Sequence, residues 1–198
     1  MIELYARMIE GMWFGVAYEE ENVYSTWFGP DEKSTVKGLL ASIPSGVSFH
    51  RVAEASVFAD RVISAVNRIY DGKDVSVKFG LATKHLPDYT RKVLEAVYLI
   101  PPGYMTSYGL IAKAVGGGAR AVGNVMAANP FAPIVPCHRV VRSDLTLGGY
   151  GGGLDLKAQM LRRERRGYVS EKEIRVIGKR LRLFPVEMVL DKLEKRGK

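Results

Sequence analysis

The chain has 198 residues, of which 47% are hydrophobic, and its mean hydropathy is close to zero. That composition predicts a globular protein with one large domain or two small ones. No apolar run is long enough to cross a membrane, and residues 1–11 lack the apolar core and cleavage site of a secretory signal. We therefore expect no membrane association, and the single cysteine of the sequence favours a reducing, cytoplasmic location.

Charge is distributed unevenly along the chain. The formal net charge is +8, but residues 1–85 carry 9 Lys and Arg against 11 Asp and Glu, whereas residues 86–198 carry 20 against 10. A basic half beside a nearly neutral one favours a polyanionic partner, nucleic acid first, because cationic side chains neutralise phosphates. A basic surface without a dedicated partner is the alternative that charge alone leaves open.

The first 80 residues are predicted to form a small α+β unit without a catalytic constellation. Two aromatic and β-branched runs within residues 11–28 predict a β-hairpin, because an acidic turn separates them. Helices are predicted over residues 32–42 and 51–70, and a short strand over residues 75–79. Residues 81–88 are the expected linker to a second domain.

From residue 89 to residue 168 the pattern is mostly helical. Helices are predicted over residues 89–100, 108–115, 119–128 and 154–166. Ser107 can cap the second of them. Three glycines separate the second helix from the third, which is the outline of a helix-turn-helix. The tail, residues 169–198, has one or two possible strands and a charged helix, and we predict no chemistry there.

The third of these helices has an outward face that is almost bare of bulky side chains. That face consists of Arg120, Gly123, Asn124 and Ala127. A surface of this kind admits another backbone at close range while Arg120 projects beyond it, which suits insertion into a groove of nucleic acid. Packing of the same small residues against another helix of the protein is the alternative.

Cys137 is the only cysteine in the sequence, so any thiol chemistry takes place there. A single cysteine excludes an internal disulfide and a multi-cysteine zinc site, and we expect no metal. A free thiol is mostly protonated at pH 7, and His138 offers the base or cation that would activate it. A buried structural cysteine beside an unrelated histidine is the alternative reading.

Glu164 lies on the apolar stripe of its predicted helix, with Leu156 and Met160. An acid at such a position needs a partner. We favour His138, because a carboxylate on one imidazole nitrogen would orient the other towards Cys137. Pairing of Glu164 with a neighbouring arginine is the competing possibility. Between the two segments, five glycines in residues 147–153 predict either a pocket wall around Tyr150 or a flexible connection.

Four segments together resemble the O6-alkylguanine-DNA alkyltransferases over residues 86–167. They are PCHRVV around the cysteine, ARAVGNVMAANP upstream of it, TSYG at the start of the second helix, and GGYGGGL with the later Glu164. The resemblance implies an α+β fold with an N-terminal support domain (residues 1–80), a linker (81–88), a mostly helical alkyltransferase and DNA-binding domain with a helix-turn-helix (89–168), and a C-terminal extension (169–198).

The resemblance also implies the activity. It is irreversible, single-turnover transfer of a methyl or other alkyl group from O6-alkylguanine, and from O4-alkylthymine, to Cys137 after the nucleotide is flipped out of duplex DNA. The expected partner is double-stranded DNA that carries the lesion, and the protein is expected to be a monomer without a cofactor. Cys137 is similar to the alkyl acceptor, His138 to the base that reaches it through a water, and Glu164 to the acid that orients the histidine.

Further roles follow from the same resemblance. Tyr108 looks like the phenol that hydrogen-bonds the flipped guanine, and Asn129 like the residue that braces the turn before the site. Arg120 resembles the finger that fills the gap in the base stack. The remaining implied contacts are Ala119, Gly123, Ala127 and Ser107 on the DNA side, and Met126, Tyr150, Gly151 and the carbonyl of Val140 in the substrate pocket. Gly151 stands where many relatives have serine, which leaves only a backbone amide for the guanine oxygen.

Three rival functions are compatible with parts of the pattern. A cysteine hydrolase would use the Cys-His-Glu trio on an acyl substrate and would turn over. A plain helix-turn-helix regulator would prefer particular undamaged sequences. A non-catalytic lesion binder is disfavoured, because such proteins lack the acceptor cysteine that is present here.

Overall fold

The structure is a computed structural model that describes residues 1–196, with the side chain of residue 196 excepted. It divides into two compact units. The first comprises Met1–Tyr70, Asp74–Leu86 and Asn129–Ile134, and the second comprises the rest of the described chain. The predicted extension, residues 169–198, includes residues 197 and 198, which lie outside the described part.

The first unit is built on a five-stranded sheet of order β4-β1-β2-β3-β5. Its strands are β1 (Ile2–Ile9), β2 (Met12–Glu19), β3 (Asn22–Gly29), β4 (Phe49–Arg51) and β5 (Gly80–Leu81). The central three form an antiparallel meander, and the two short edge strands are parallel to their neighbours. Helices α1 (Glu32–Leu40) and α2 (Val57–Tyr70) accompany the sheet. Ile2, Leu4, Ala17 and Leu39 form one of its buried clusters.

The hairpin predicted over residues 11–28 is confirmed as β2 and β3, but two other expectations for this unit are wrong. Residues 75–79 form no strand, because nothing in the described chain pairs with them; β-propensity alone does not supply a hydrogen-bonded neighbour. The helix predicted from residue 51 begins only at Val57. The Ser56 hydroxyl accepts the backbone N–H of Ala59 at 3.1 Å and so caps this later start, while Arg51 pairs with Leu4 in the sheet.

The second unit combines helices with a four-stranded sheet of order β7-β6-β9-β8. Its helices are α3 (Asp88–Tyr98), α4 (Tyr108–Val115), α5 (Ala119–Ala127), α6 (Leu154–Arg163) and α7 (Val186–Arg196). Its strands are β6 (Tyr104–Ser107), β7 (Val140–Val141), β8 (Lys172–Val176) and β9 (Lys179–Pro185). The strands that the sequence predicted in the tail are confirmed as β8 and β9, whereas β6 and β7, with which they form the sheet, were not predicted.

This sheet connects the cysteine to the helices of the second unit. Cys137–Arg139 form a short 3₁₀ turn, and β7 follows at once. Strand β7 pairs in parallel with β6, and β6 leads directly into α4. A buried cluster from β6, β7, α6 and α7 lies against it, with Met105, Val141, Leu161 and Val189 among its members. None of the described helices is both long and apolar enough to cross a membrane.

Candidate active site

A cavity of about 660 Å³ lies in the second unit and is open at one side. Six residues of α5 line it, among them the exposed Ala119, Arg120, Asn124 and Ala127 as well as Gly123. Met126 of the same helix also borders the cavity although it is largely buried. The opposite wall is formed by Tyr108, Cys137, Tyr150 and Gly151. The structure therefore brings most of the sequence-predicted DNA and pocket residues to a single cavity.

Cys137 begins the 3₁₀ turn directly after Pro136, and its own N–H donates to the Val135 carbonyl at 2.8 Å. The side chain is not part of a disulfide. Only 6% of the residue is exposed, yet it borders the cavity. The sulfur is thus shielded from bulk solvent but remains accessible from the cavity, which is the setting that a selective nucleophile requires.

His138 and Glu164 lie in contact, and both are fully buried. Nε2 of the histidine is 2.8 Å from Oε1 of the glutamate. The other ring nitrogen, Nδ1, has no hydrogen-bond partner among the described residues. Because the carboxylate accepts from Nε2–H, the tautomer that it favours leaves Nδ1 with a free lone pair. The pair therefore presents one basic nitrogen in a fixed orientation.

Arg139, which the sequence analysis did not single out, binds the same carboxylate. Its Nε lies 3.0 Å from both oxygens of Glu164, and its Nη2 donates to Oε1 at 2.7 Å. Nη1 donates to the carbonyl of Ile100 at 2.6 Å. The histidine and arginine pairings were treated as alternatives from the sequence, whereas the structure contains both. The arginine is the neighbour of His138 and does not come from the arginine-rich end of α6.

Opposing effects act on the pKa values of this trio. Burial alone would raise the pKa of Glu164, but the charges and hydrogen bonds of His138 and Arg139 outweigh it and lower the pKa to about 2. Burial lowers the pKa of His138, and the attraction of Glu164 opposes that effect without cancelling it. At neutral pH the glutamate is therefore ionised and the imidazole is neutral, so His138 can accept a proton.

Lys157 is a second functional candidate that the sequence analysis missed. The residue is fully buried, and its ammonium donates to the carbonyls of Val140 at 2.6 Å, Leu147 at 2.5 Å and Gly149 at 3.3 Å. Burial lowers its pKa to about 8, and the interaction with Cys137 acts in the opposite direction. That attraction is reciprocal, so the ammonium favours a thiolate at Cys137. The position of Lys157 on the inward stripe of α6, with Met160, was the available signal.

The glycine-rich wall fits closely against Tyr108. Gly148 has a φ of +68°, and a Cβ at this position would lie 2.9 Å from Cε2 of the tyrosine ring. Glycine is therefore required twice, for the backbone conformation and for the close approach. The phenol donates to the carbonyl of Gly149 at 3.4 Å. Burial raises the pKa of Tyr108, with a further increase from Cys137, so the hydroxyl keeps its proton at neutral pH.

Three predicted site residues are positioned differently from the cavity group. Ser107 is buried, and its hydroxyl accepts the N–H of Leu110 at 3.2 Å as the N-cap of α4. The carbonyl of Val140 accepts from Lys157. Asn129 groups with the first unit, where its Oδ1 accepts the N–H of Phe131 at 3.0 Å. The DNA contact predicted for Ser107 and the bracing role predicted for Asn129 stay predictions.

A metal site is not apparent in the part of the chain that the structure describes. No three histidine, cysteine, aspartate or glutamate side chains cluster there in an arrangement that could hold an ion.

The fold and the site define an α+β protein in which a pocket cysteine, with an adjacent histidine and glutamate, lies beside a pair of short helices. Residues 88–166 match the family model described as the DNA-binding domain of 6-O-methylguanine DNA methyltransferase. Over this stretch the chain is similar to the O6-methylguanine DNA methyltransferases.

Named relatives match stretches of different length in this chain. The methylated-DNA–protein-cysteine methyltransferase of Methanothermobacter thermautotrophicus is 36% identical over 109 residues, which are 52% of this chain and 60% of the relative. The protein of the same name from Pyrobaculum aerophilum is 53% identical over 62 residues, 31% of this chain and 42% of the relative. The matched segments thus span about half the length of these curated relatives.

Solved structures resemble a larger share of the chain. The crystal structure of Mycobacterium tuberculosis OGT in complex with DNA matches with a TM-score of 0.66 and 27% identity, and it covers 82% of this chain and 92% of that chain.

Proposed function

We propose that the protein repairs DNA by moving an alkyl group from O6 of guanine in a duplex onto its own Cys137. One observation carries the proposal: the only cysteine of the sequence borders a cavity between the exposed face of α5 and the glycine-rich wall, next to the buried His138–Glu164 pair. Similarity to named relatives supports the same activity, since these relatives are methylated-DNA–protein-cysteine methyltransferases.

The first step is removal of the thiol proton. Nδ1 of His138 is the nitrogen available to accept it through an intervening water, because Nε2 is held by Glu164. The imidazole is neutral before the reaction, and Glu164 stabilises the imidazolium that forms. Arg139 keeps the carboxylate ionised and hydrogen-bonded, which fixes the histidine in orientation. Lys157 favours the thiolate electrostatically.

The second step is a substitution at the alkyl carbon. The thiolate forms the new carbon–sulfur bond as the bond from carbon to O6 breaks, and the electron pair of that bond returns to guanine. Tyr108 keeps its proton at neutral pH and is suited to donate a hydrogen bond to the departing base. The product is a thioether. It has no carbonyl for water to attack, so each molecule acts once.

The target carbon lies inside the duplex, so the nucleotide must rotate out of the base stack. We propose that α4 and α5 form a helix-turn-helix whose second helix enters the minor groove. The exposed small residues of α5 support this, because Gly123 has open space around it and Ala119 and Ala127 are exposed. Arg120 would occupy the gap that the flipped base leaves, which offsets part of the unstacking cost.

The remaining elements of the proposal concern the whole protein. Residues 1–80 serve as a support domain, residues 89–168 carry the chemistry, and the protein acts as a monomer on double-stranded DNA without a cofactor. O4-alkylthymine in a duplex is a second substrate. A reducing cytoplasm suits a protein whose single thiol must stay reduced until it is used.

Intact-protein mass spectrometry tests the proposal. The full chain is incubated with excess duplex that contains one O6-methylguanine, and the expected result is a mass gain of one methyl group per molecule, located on the peptide that contains Cys137. The Cys137→Ala variant should gain no mass yet keep salt-sensitive DNA binding. Sustained turnover without modification of that peptide would indicate a cysteine hydrolase, and binding that prefers undamaged sequences would indicate a regulator.

A further inference from the structure

The tail of the second unit forms a basic hairpin, defined here as residues 172–185, which comprises β8, its turn and β9. It lies beyond residues 88–166, the part of the chain that the family model matches. The hairpin contains five cationic side chains, Lys172, Arg175, Lys179, Arg180 and Arg182, and one acidic side chain, Glu173. This cationic excess serves no step of the alkyl transfer described above.

The basic hairpin is joined firmly to the helix pair. Strand β9 pairs with β6 through Tyr104 with Pro185 and Met105 with Phe184. The hydroxyl of Thr106 donates to the carbonyl of Arg182 at 2.8 Å. Strand β6 runs directly into α4, and β9 also packs against α4. The hairpin is therefore held in a fixed position relative to the helices that are proposed to contact DNA.

Side chains alternate between the two faces of the basic hairpin, as expected for a two-stranded ladder. Ile174 lies opposite Leu181 on the inner face, and Leu181 is fully buried. On the outer face, Arg175 lies directly opposite Arg180, and both are exposed. Two like charges opposite each other weaken a ladder. The outer face thus concentrates positive charge at a cost in stability.

The acidic neighbours neutralise this face only in part. Arg182 is held by Glu171, with Nη2 at 2.7 Å from Oε1, and Arg180 is 3.4 Å from Glu173. Arg175 has no ion-pair partner among the described residues. A surface of this kind matches the chemistry of a phosphodiester backbone, whose regularly spaced anions can each neutralise one cation.

We propose that the basic hairpin binds the phosphodiester backbone of the same duplex whose damaged base enters the cavity. Arg175 and Arg180 are the principal contacts, and the binding is independent of base sequence, because phosphates carry no sequence information. The inference rests on the proposed function for the identity of the duplex. It predicts that the protein has a longer footprint on DNA than α5 alone provides.

A double variant tests the proposal. In Arg175→Gln/Arg180→Gln the outer face loses two charges and keeps two polar side chains of moderate size. Affinity is measured on undamaged duplex from 50 to 200 mM salt. Loss of two phosphate contacts should lower the slope of log affinity against log salt by about 2, and should weaken binding roughly tenfold at the low-salt end. Methyl transfer from the free O6-methylguanine base should be unchanged.

Two matched variants identify the cause of any loss. Lys33→Gln/Lys37→Gln removes the same net charge from α1 of the first unit and should bind like the wild type. Arg175→Lys/Arg180→Lys keeps the charge and should retain most of the affinity. The proposal is overturned when the glutamine variant shows wild-type affinity for DNA and a wild-type salt slope. It is also overturned when the lysine variant binds DNA as weakly as the glutamine variant, or when the α1 variant loses as much affinity as the glutamine variant.

The outcomes separate this inference from the proposed function. A wild-type protein that transfers no alkyl group to Cys137 contradicts the proposed function alone, because the salt slope on undamaged duplex is measured without any reaction. A wild-type protein that transfers the group normally, with a hairpin variant that binds equally well, contradicts the hairpin contact alone.

Discussion

Arg139 and Glu164 form a buried ion pair in which one guanidinium nitrogen, Nε, lies 3.0 Å from both carboxylate oxygens. The same carboxylate accepts a hydrogen bond from Nε2 of His138. Since the arginine and the histidine are adjacent in the sequence, a single acid fixes two consecutive side chains directly after the cysteine. The stability of this turn and the reactivity of the cysteine therefore depend on the same group.

Glu164→Gln should reduce both stability and activity. The substitution leaves the Arg139 cation buried without its counter-charge, and removal of one partner from a buried pair is strongly destabilising. We expect a loss of roughly 3 kcal/mol in the free energy of unfolding, measured by urea denaturation, and slower methyl transfer to Cys137. Glu54→Gln, at an exposed position, should leave both quantities unchanged. If Glu164→Gln has the same free energy of unfolding as the wild type, the Arg139–Glu164 ion pair makes no net contribution to stability.

The pH dependence of stability tests the pKa of Glu164 directly. Its folded-state pKa of about 2 lies below the ordinary value of 4.5, so its contribution to stability is present above pH 4.5 and is lost as the pH falls towards 2. The difference in unfolding free energy between the wild type and Glu164→Gln should therefore shrink over this range, by on the order of 3 kcal/mol. A difference that stays constant from pH 6 to pH 2 contradicts the assignment.

Lys157→Met should slow methyl transfer while it maintains the fold. Methionine fills a similar volume without a charge, but it cannot bind the carbonyls of Val140 and Leu147 or favour the thiolate. We expect a rate constant at pH 7 that is roughly tenfold lower, equivalent to about one pKa unit of lost electrostatic support. The ratio of the wild-type rate to the variant rate should fall as the pH rises through about 8, where Lys157 loses its charge.

Linkage gives a second measurement on the same variant. The pKa of Lys157 in the folded protein is about 8, against 10.5 when unperturbed, so between these values the unfolded chain binds more protons. The unfolding free energy of the wild type, relative to Lys157→Met, should therefore rise as the pH increases from 8 to 10.5. If the unfolding free energy of the wild type relative to Lys157→Met falls over this range instead, the folded-state pKa of Lys157 must lie above 10.5.

Arg120→Ala should impair repair of duplex DNA more than reaction with a free modified base. The arginine is exposed on α5 at the cavity, where it can fill the space left by an extruded nucleotide. We expect a loss of roughly tenfold to hundredfold on duplex, because unstacking costs a few kcal/mol, and little change with free O6-methylguanine. Lys92→Ala removes an equal charge from α3 as the control. Equal losses on both substrates would argue against base extrusion by Arg120.

Gly148→Ala should destabilise the glycine-rich wall, whereas the neighbouring Gly149→Ala should not. A side chain at residue 148 is strained by the φ of +68° and meets the ring of Tyr108, while a methyl group added at residue 149 would have no other atom within 4 Å. We expect a decrease of about 1–3 kcal/mol in the unfolding free energy for the first variant and a small change for the second. Similar unfolding free energies for the two variants would mean that the glycine-rich wall can rearrange to accept a side chain at residue 148.

Local patterns in the sequence were sufficient for much of the fold. The hairpin of β2 and β3, helix α4 and most of α5 follow from periodicity and from glycine and proline positions. The strands β1 and β6 were not predicted, and the strand over residues 75–79 was predicted wrongly. Strand formation depends on a partner elsewhere in the chain, and the sequence alone does not reveal which segments become neighbours.

In the candidate site, too, local sequence patterns predicted some residues, whereas residues that depend on distant parts of the chain were missed. Glu164 could be assigned from one helix, because an acid on an apolar stripe requires a partner. Arg139 and Lys157 were missed, since their burial depends on the carbonyls of Ile100, Val140 and Leu147, which come from other segments. Tertiary contacts decide which of many arginines and lysines are withdrawn from solvent.

Helix α6 carries Lys157, and Glu164 is its C-cap residue, so one rigid element supports both the glycine-rich wall and the proton acceptor His138. Any shift of this helix alters the shape of the chamber and the alignment of the base at the same time. Variation that enlarges the range of accepted lesions is consequently expected on the opposite wall, at α5 positions such as Met126 that border the cavity but have no role in the proton or alkyl transfer. Directed evolution of substrate scope should begin there.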